Sequence, residues 1–152
     1  MWQNNHKHLV DFFSKRIDGF NVRSLTSDDL ALECERSGIT ILSDHFEKAH
    51  GGSLWVDEYP FIFLSDSLSE PEKVVTGFHE FCHLEFDPPG DIFLSTGNLW
   101  NWQKAERQAN IVGVIALMPD TEVIRMTVDR MISYYGISRE LAQFRFDLMW
   151  RH

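Results

Sequence analysis

A chain of 152 residues with 43% hydrophobic and 13% aromatic side chains has the size and apolar content of a single domain with a substantial core. Its formal net charge of -9 argues against sequence-independent nucleic-acid binding, which needs Lys and Arg to displace phosphate counterions, and favours basic partners instead. The N-terminus has no basic-then-apolar signal architecture and the apolar run Ile111 to Met118 is too short to cross a bilayer, so a cytoplasmic protein with no membrane partner is expected.

Taken in order, Leu9 to Phe13 and Ile17, with Lys15 and Arg16 near the end, predict a first helix over 7–17 that Asp18-Gly19 stops. Ser27, followed by Asp28 and Asp29, marks the start of a second helix, with acids suited to its positive end. Gly38 is its stop, and Leu30, Leu32 and Cys34 are its candidate buried positions. Three short strands follow at 39–42, 53–56 and 59–64, the last two on either side of Asp57-Glu58. Pro60 lacks a ladder donor and so places its strand at a sheet edge, where an extended peptide can add as a further strand. Phe61 and Phe63 are assigned to the core. Strands followed by helices make this an α+β fold with a small mixed or antiparallel sheet.

Ser69-Glu70-Pro71-Glu72 opens the next helix, with Ser69 and Glu72 as a capping box and Pro71 in the first turn. It should run to about Phe86, before Pro88-Pro89-Gly90, and carry Gly77-Phe78-His79-Glu80-Phe81-Cys82-His83-Leu84. Residues four apart share a helix face, so His79 and His83 can aim two imidazoles at one metal, with Glu80 about 100° round the axis. That is the HExxH pattern of zinc hydrolases, in which the Glu is the general base. Cys34 and Cys82 show no disulfide or Cys-metal spacing, and Cys82 is assigned to the helix's inner side.

A third ligand must come from elsewhere. A row of His79, His83 and Asp87 would extend about 12 Å along a helix, too far to converge on one ion with bonds near 2 Å. Asp87 is expected to be a solvated acid, with a supporting contact to His83 as the alternative. The metzincin spacing fails, because Phe86 and Pro89 stand where a glycine and a third histidine are required. Glu106 is the better candidate, on a helix from about Trp100 or Asn101 to Met118, ended by Pro119. There Ala105, Ala109, Val112 and Ala116 permit close approach to the motif helix, and Asn110, one turn beyond Glu106, can hydrogen-bond a ligand imidazole.

Beyond Pro119, the apolar positions of Asp120 to Tyr135 predict a helix stopped by Gly136, and Ser138 caps another reaching about Trp150. Arg139, Arg145 and Arg151 suggest a basic stripe on this helical hairpin, but Glu140, Asp147 and the overall acidity point to a packed cap or a partner surface rather than a DNA reader.

The segments Gly77 to His83, Ala105-Glu106-Arg107-Gln108-Ala109-Asn110 and Ala116-Leu117-Met118-Pro119 resemble, in order and approximate spacing, the ImmA/IrrE family of metallopeptidases. The resemblance is close from Ser69 to Pro119 and looser outside it. It implies a zincin-like single domain over 1–152 with a gluzincin-like site: His79, His83 and Glu106 as Zn²⁺ ligands and Glu80 as catalytic base. It also implies a protein substrate, a basic helix-turn-helix repressor of a prophage, mobile element or stress regulon. Members often have Gly before the second histidine and another His four residues after it, where this chain has Cys82 and Asp87. The alternative function is a non-proteolytic anti-repressor that binds and titrates its target, with zinc structural. Spacing identifies no oxyanion stabiliser among Tyr59, Tyr134, Tyr135 and His50.

Overall fold

The computed structural model describes residues 2–87, 93–100 and 103–150. Helix α1 (Trp2–Arg16) starts earlier than the apolar periodicity indicates and buries Leu9 and Phe13. Helix α2 (Ser27–Arg36) is capped by Thr26 rather than Ser27: the Thr26 side chain accepts from Asp29 N, and the Asp29 carboxylate accepts from Thr26 N. The buried stripe is Leu30, Glu33 and Cys34, which share a helix face at i, i+3 and i+4, and Leu32, two residues from Leu30 and Cys34, is exposed.

The sheet has one strand more than the sequence suggests. Strands β1 (Thr40–Asp44), β2 (Gly51–Val56), β3 (Tyr59–Ser65) and β4 (Phe93–Ser95) lie in the order β1-β3-β2-β4. β1 runs parallel to β3, while β2 is antiparallel to both β3 and β4, so the sheet is mixed. β3 is therefore an interior strand, not the edge that Pro60 was expected to mark. The register explains why Pro60 is tolerated. Trp55↔Pro60 follows the closing pair Val56↔Tyr59 of the hairpin, and pairs in an antiparallel ladder alternate between bonded and non-bonded, so Pro60 owes β2 no N–H. On the other side β1 begins only at Phe61. Pro60, Ile62 and Leu64 alternate inwards and are buried, whereas Phe61 and Phe63 are only half-buried, on the opposite face from the core to which they were assigned.

Helix α3 (Glu70–Phe86) packs on β2, β3 and β4, and carries the motif. Its start is as expected: Ser69 and Glu72 form the capping box and Pro71 lies in the first turn. A Cβ on Gly77 would lie 2.1 Å from Leu30 Cδ2, so glycine is what lets α2 lie against the motif turn. Helix α4 (Lys104–Leu117) packs alongside α3. The closest approach is at Gly113, where a Cβ would meet the Val75 carbonyl oxygen at 2.4 Å. α4 starts later than the expected Trp100 or Asn101, because the extended backbone of its N-cap, Gln103, φ -61 and ψ 137, cannot be helical; the Pro88-Pro89-Gly90 stop lies outside the described residues.

The single helix expected over 120–135 is broken. α5 (Asp120–Val123) is one turn, and α6 (Val128–Tyr135) restarts where the Thr127 side chain accepts from Arg130 N at 3.1 Å. Gly136, with φ 69, ends α6, and α7 (Arg139–Trp150) closes the described chain. The suggested basic stripe does not exist among the described residues. Arg145 is fully buried, donating from Nε to Met118 O at 2.7 Å and pairing with Asp120, while Arg139 pairs with Asp129 at 2.8 Å. Arg151 lies outside the described residues.

Candidate metal centre

The α3–α4 packing brings together the side chains singled out by spacing. His79 and His83, one turn apart, present Nε2 atoms 3.2 Å from each other. Across the interface, Glu106 in the first turn of α4 places Oε2 3.2 Å from His79 Nε2 and Oε1 3.0 Å from His83 Nε2. These contacts close a triangle of residues, two imidazole nitrogens and a carboxylate whose two oxygens each meet one ring. A tetrahedral ion with bonds near 2.0 Å holds its donors about 3.3 Å apart, so each of the three separations is close to an edge of such a site.

Supporting contacts orient the rings. His83 Nδ1 donates to Asp87 Oδ2 at 2.8 Å, which turns Nε2 towards the triangle. Asp87 is thus a partner of His83 and not the solvated acid expected. It reaches the ring because α3 ends at Phe86, and the C-cap backbone at Asp87, with φ -101 and ψ 142, leaves the helical path. Asn110 hydrogen-bonds His79 and also donates to Asn98 O at 3.3 Å, tying the second imidazole to the segment before α4.

Burial sets the electrostatics. It lowers the pKa of His79, against the pull of the Glu106 and Asn110 hydrogen bonds. At His83 burial acts in the same direction, but hydrogen bonds to Glu106 and Asp87 outweigh it and the pKa is raised. Glu106 resists burial through its two imidazole partners, which bring its pKa down to about 2. Glu80 has no such partners. It is fully buried, both carboxylate oxygens lack a hydrogen-bond partner, and burial pushes its pKa up to about 8. The hydroxyl of Ser53 on β2 draws that value down, yet forms no hydrogen bond of ordinary length, so burial dominates.

An orphaned buried carboxylate beside two imidazoles and a second carboxylate is a donor set whose chemistry suits a divalent cation. The donor atoms of His79, Glu80 and His83 lie within 4.8 Å of one another, and all three residues are buried. Of the two acids, Glu106 makes the direct contacts and closes the triangle, while Glu80 stands beside it. The set fits a divalent metal held by His79, His83 and Glu106, with Glu80 left free to handle a proton. Cys82 is buried, with its thiol pKa raised well above the usual value by burial, and takes no part.

Residues 34–147 match the family model of peptidase M78, the IrrE N-terminal-like domain. The chain belongs to this family. No curated protein matches the sequence closely enough to refine that assignment. The match spans α3 and α4 and therefore every residue of the triangle.

Among the four side chains considered for oxyanion stabilisation, this M78 domain brings only His50 near the centre. His50 lines the same cavity as His79, a space of about 420 Å³ between α3, the segment before α4 and the α6–α7 turn. Tyr59 is exposed at the β2–β3 turn. Tyr134 and Tyr135 line a separate groove with Ser24 and Pro71, where the Tyr135 hydroxyl donates to Glu122 at 2.6 Å. Two contributors went unrecognised in the sequence. Gly113 continues the row Ala105, Ala109 at four-residue spacing, a signal present but unused. Ser53 lies in a strand, and only the pairing of β2 with β3 shows which way it faces.

Proposed function

We propose that the chain is a zinc-dependent metallo-endopeptidase in which His79, His83 and Glu106 hold the metal and Glu80 is the general base. The observation that carries this is the set of three contacts of 3.0 to 3.2 Å among His79, His83 and Glu106, beside an unpartnered buried carboxylate. Two imidazoles and one carboxylate are a catalytic zinc set, with a fourth position left for water or substrate. When bound, zinc supplies the Lewis acidity that makes water nucleophilic near neutral pH. The protein's own residues do the rest. Asp87 and Asn110 fix the imidazoles, and the oxygens of Glu80, committed to no other donor, accept the proton of the attacking water and return it to the leaving amine.

The substrate proposed is a basic helix-turn-helix repressor met in the cytoplasm. Two features support it: the family assignment and the formal net charge of -9, which complements a DNA-binding protein. Strand β4 is the sheet edge on the α3 side, so strand addition there is the proposed mode of holding an extended segment.

The decisive experiment incubates zinc-loaded protein with a candidate helix-turn-helix repressor from the same genome, with and without a chelator. Chelator-sensitive cleavage that Glu80→Gln abolishes is expected. An intact repressor that nevertheless loses its DNA would establish titration and overturn the peptidase assignment.

A further inference from the structure

The cavity beside His79 is more than an approach to the metal centre. Glu72, Thr76 and His79 occupy successive turns of one face of α3, so the space runs from His79 towards the N-terminus of the helix, away from His83 and Asp87. Its walls mix polar and apolar side chains; of the apolar ones, Val75 comes from α3, Leu99 from the segment before α4, Ile137 from the α6–α7 turn and Leu141 from the first turn of α7. At about 420 Å³ it falls within the range of roughly 300 to 1,000 Å³ of side-chain and small-ligand pockets. Among the described residues that line it, the carboxylates are Glu72 and Glu140 and there is no Lys or Arg.

We infer that this cavity is a specificity pocket that takes a bulky aliphatic or aromatic side chain next to the scissile bond and rejects an acidic one. The inference rests on the peptidase proposal and adds the class of residue selected. Three features lead to it. The pocket shares His79 with the donor triangle, so a side chain entering it belongs to a residue adjoining the bond at the metal. Val75, Leu99, Ile137 and Leu141 offer such a side chain removal from water and no charge partner. The acids Glu72 and Glu140 oppose a second carboxylate in the same space. The inference also gives the C-terminal hairpin a task. Arg145 ties α7 to the carbonyl of Met118 at the end of α4, which sets the Leu141 wall at a fixed distance from the helix that carries Glu106.

The test measures binding rather than turnover. Dipeptide hydroxamates that differ in one side chain, glycyl, leucyl, phenylalanyl or glutamyl, are titrated into the full-length zinc-loaded protein by calorimetry. Leucyl and phenylalanyl forms should bind about tenfold or more tightly than the glycyl form, and the glutamyl form more weakly than the glycyl. Leu141→Trp, at a half-buried position, should erase the leucyl and phenylalanyl advantage with zinc content unchanged. Glu140→Lys, at an exposed position where folding is not at risk, should bring glutamyl binding up to or above glycyl. Equal affinity across the four, no binding by any of them, or selectivity untouched by both variants would overturn the pocket. The peptidase proposal fails separately, by an uncut repressor, whatever the hydroxamates show.

Discussion

Two clusters of buried charge sit at opposite ends of α4, and they are built on opposite principles. At the C-terminal end the charge of Arg145 is paired within the protein: Nε has the Met118 carbonyl, one terminal nitrogen has Asp120, which Asn21 holds in turn, and Nη1 alone is left without a hydrogen-bond partner among the described residues. At the N-terminal end Glu80, Glu106 and Asp87 surround two histidines, and neither oxygen of Glu80 has a hydrogen-bond partner among the described residues. The first cluster pairs its charge with an opposite one and holds α7 to α4. The second contains a buried carboxylate with no donor to its oxygens among the described residues. Buried charge alone therefore does not mark a functional site; buried charge that the chain leaves unbalanced does.

Substitutions can break this contrast from either side. The largest effect is expected at the unbalanced end, where Glu80→Gln should lower repressor cleavage by about 10² to 10⁴ with zinc content unchanged, as read by cleavage assay and metal analysis. The same variant tests the imbalance without substrate. Glu80 is an acid whose folded pKa is raised to about 8, so between its ordinary value and pH 8 the folded state binds more protons than the unfolded. Stability of the metal-free protein should fall as pH rises through that window, and Glu80→Gln should flatten the fall relative to wild type in urea melts. Identical pH slopes would mean that Glu80 is balanced after all.

Arg145→Ala attacks the charge-paired cluster and should cost about 3 kcal/mol of global stability by urea midpoint, because it strips a buried ion pair of one partner. Zinc affinity per folded molecule should be unchanged. Gly113→Ala should do both kinds of damage. Its Cβ would lie 2.4 Å from a backbone oxygen and 3.4 Å from His79 Cβ, so α4 must back away from α3. About 1 to 3 kcal/mol of stability should go, and zinc affinity with it. The smallest effect in view is Asp87→Ala, with folding intact and zinc affinity down by about 10- to 100-fold in chelator competition.

What the sequence made legible was what neighbouring residues decide. Ser69, Pro71 and Glu72 announce the start of α3, and HExxH carries its own periodicity, so motif and helix coincide. Glu106 was legible because Ala105 and Ala109 flank it on the packing face. The misses depend on partners distant in the chain. Pro60 reads as an edge residue until β1 is seen to begin one residue beyond it on the other side. Phe61 and Phe63 read as core until the inward set proves to be Pro60, Ile62 and Leu64. The three-residue β4 is too short to show a pattern, and exists because β2 offers it a free edge. Arg145 reads as surface because its partners, Met118 and Asp120, precede it by a whole helical hairpin.

The brevity of β4 has a kinetic consequence. It is held to the sheet by β2 on one side alone, and it carries Ser95, part of the wall of the cavity beside His79. A three-residue edge strand is the least protected kind of sheet element, so it should part from β2 in excursions that leave the β2–β3 hairpin and the α3–α4 pair closed. Access to the centre would then be governed by sub-global opening at one rim, at a free-energy cost well below that of unfolding, rather than by movement of the helices that carry His79, His83 and Glu106.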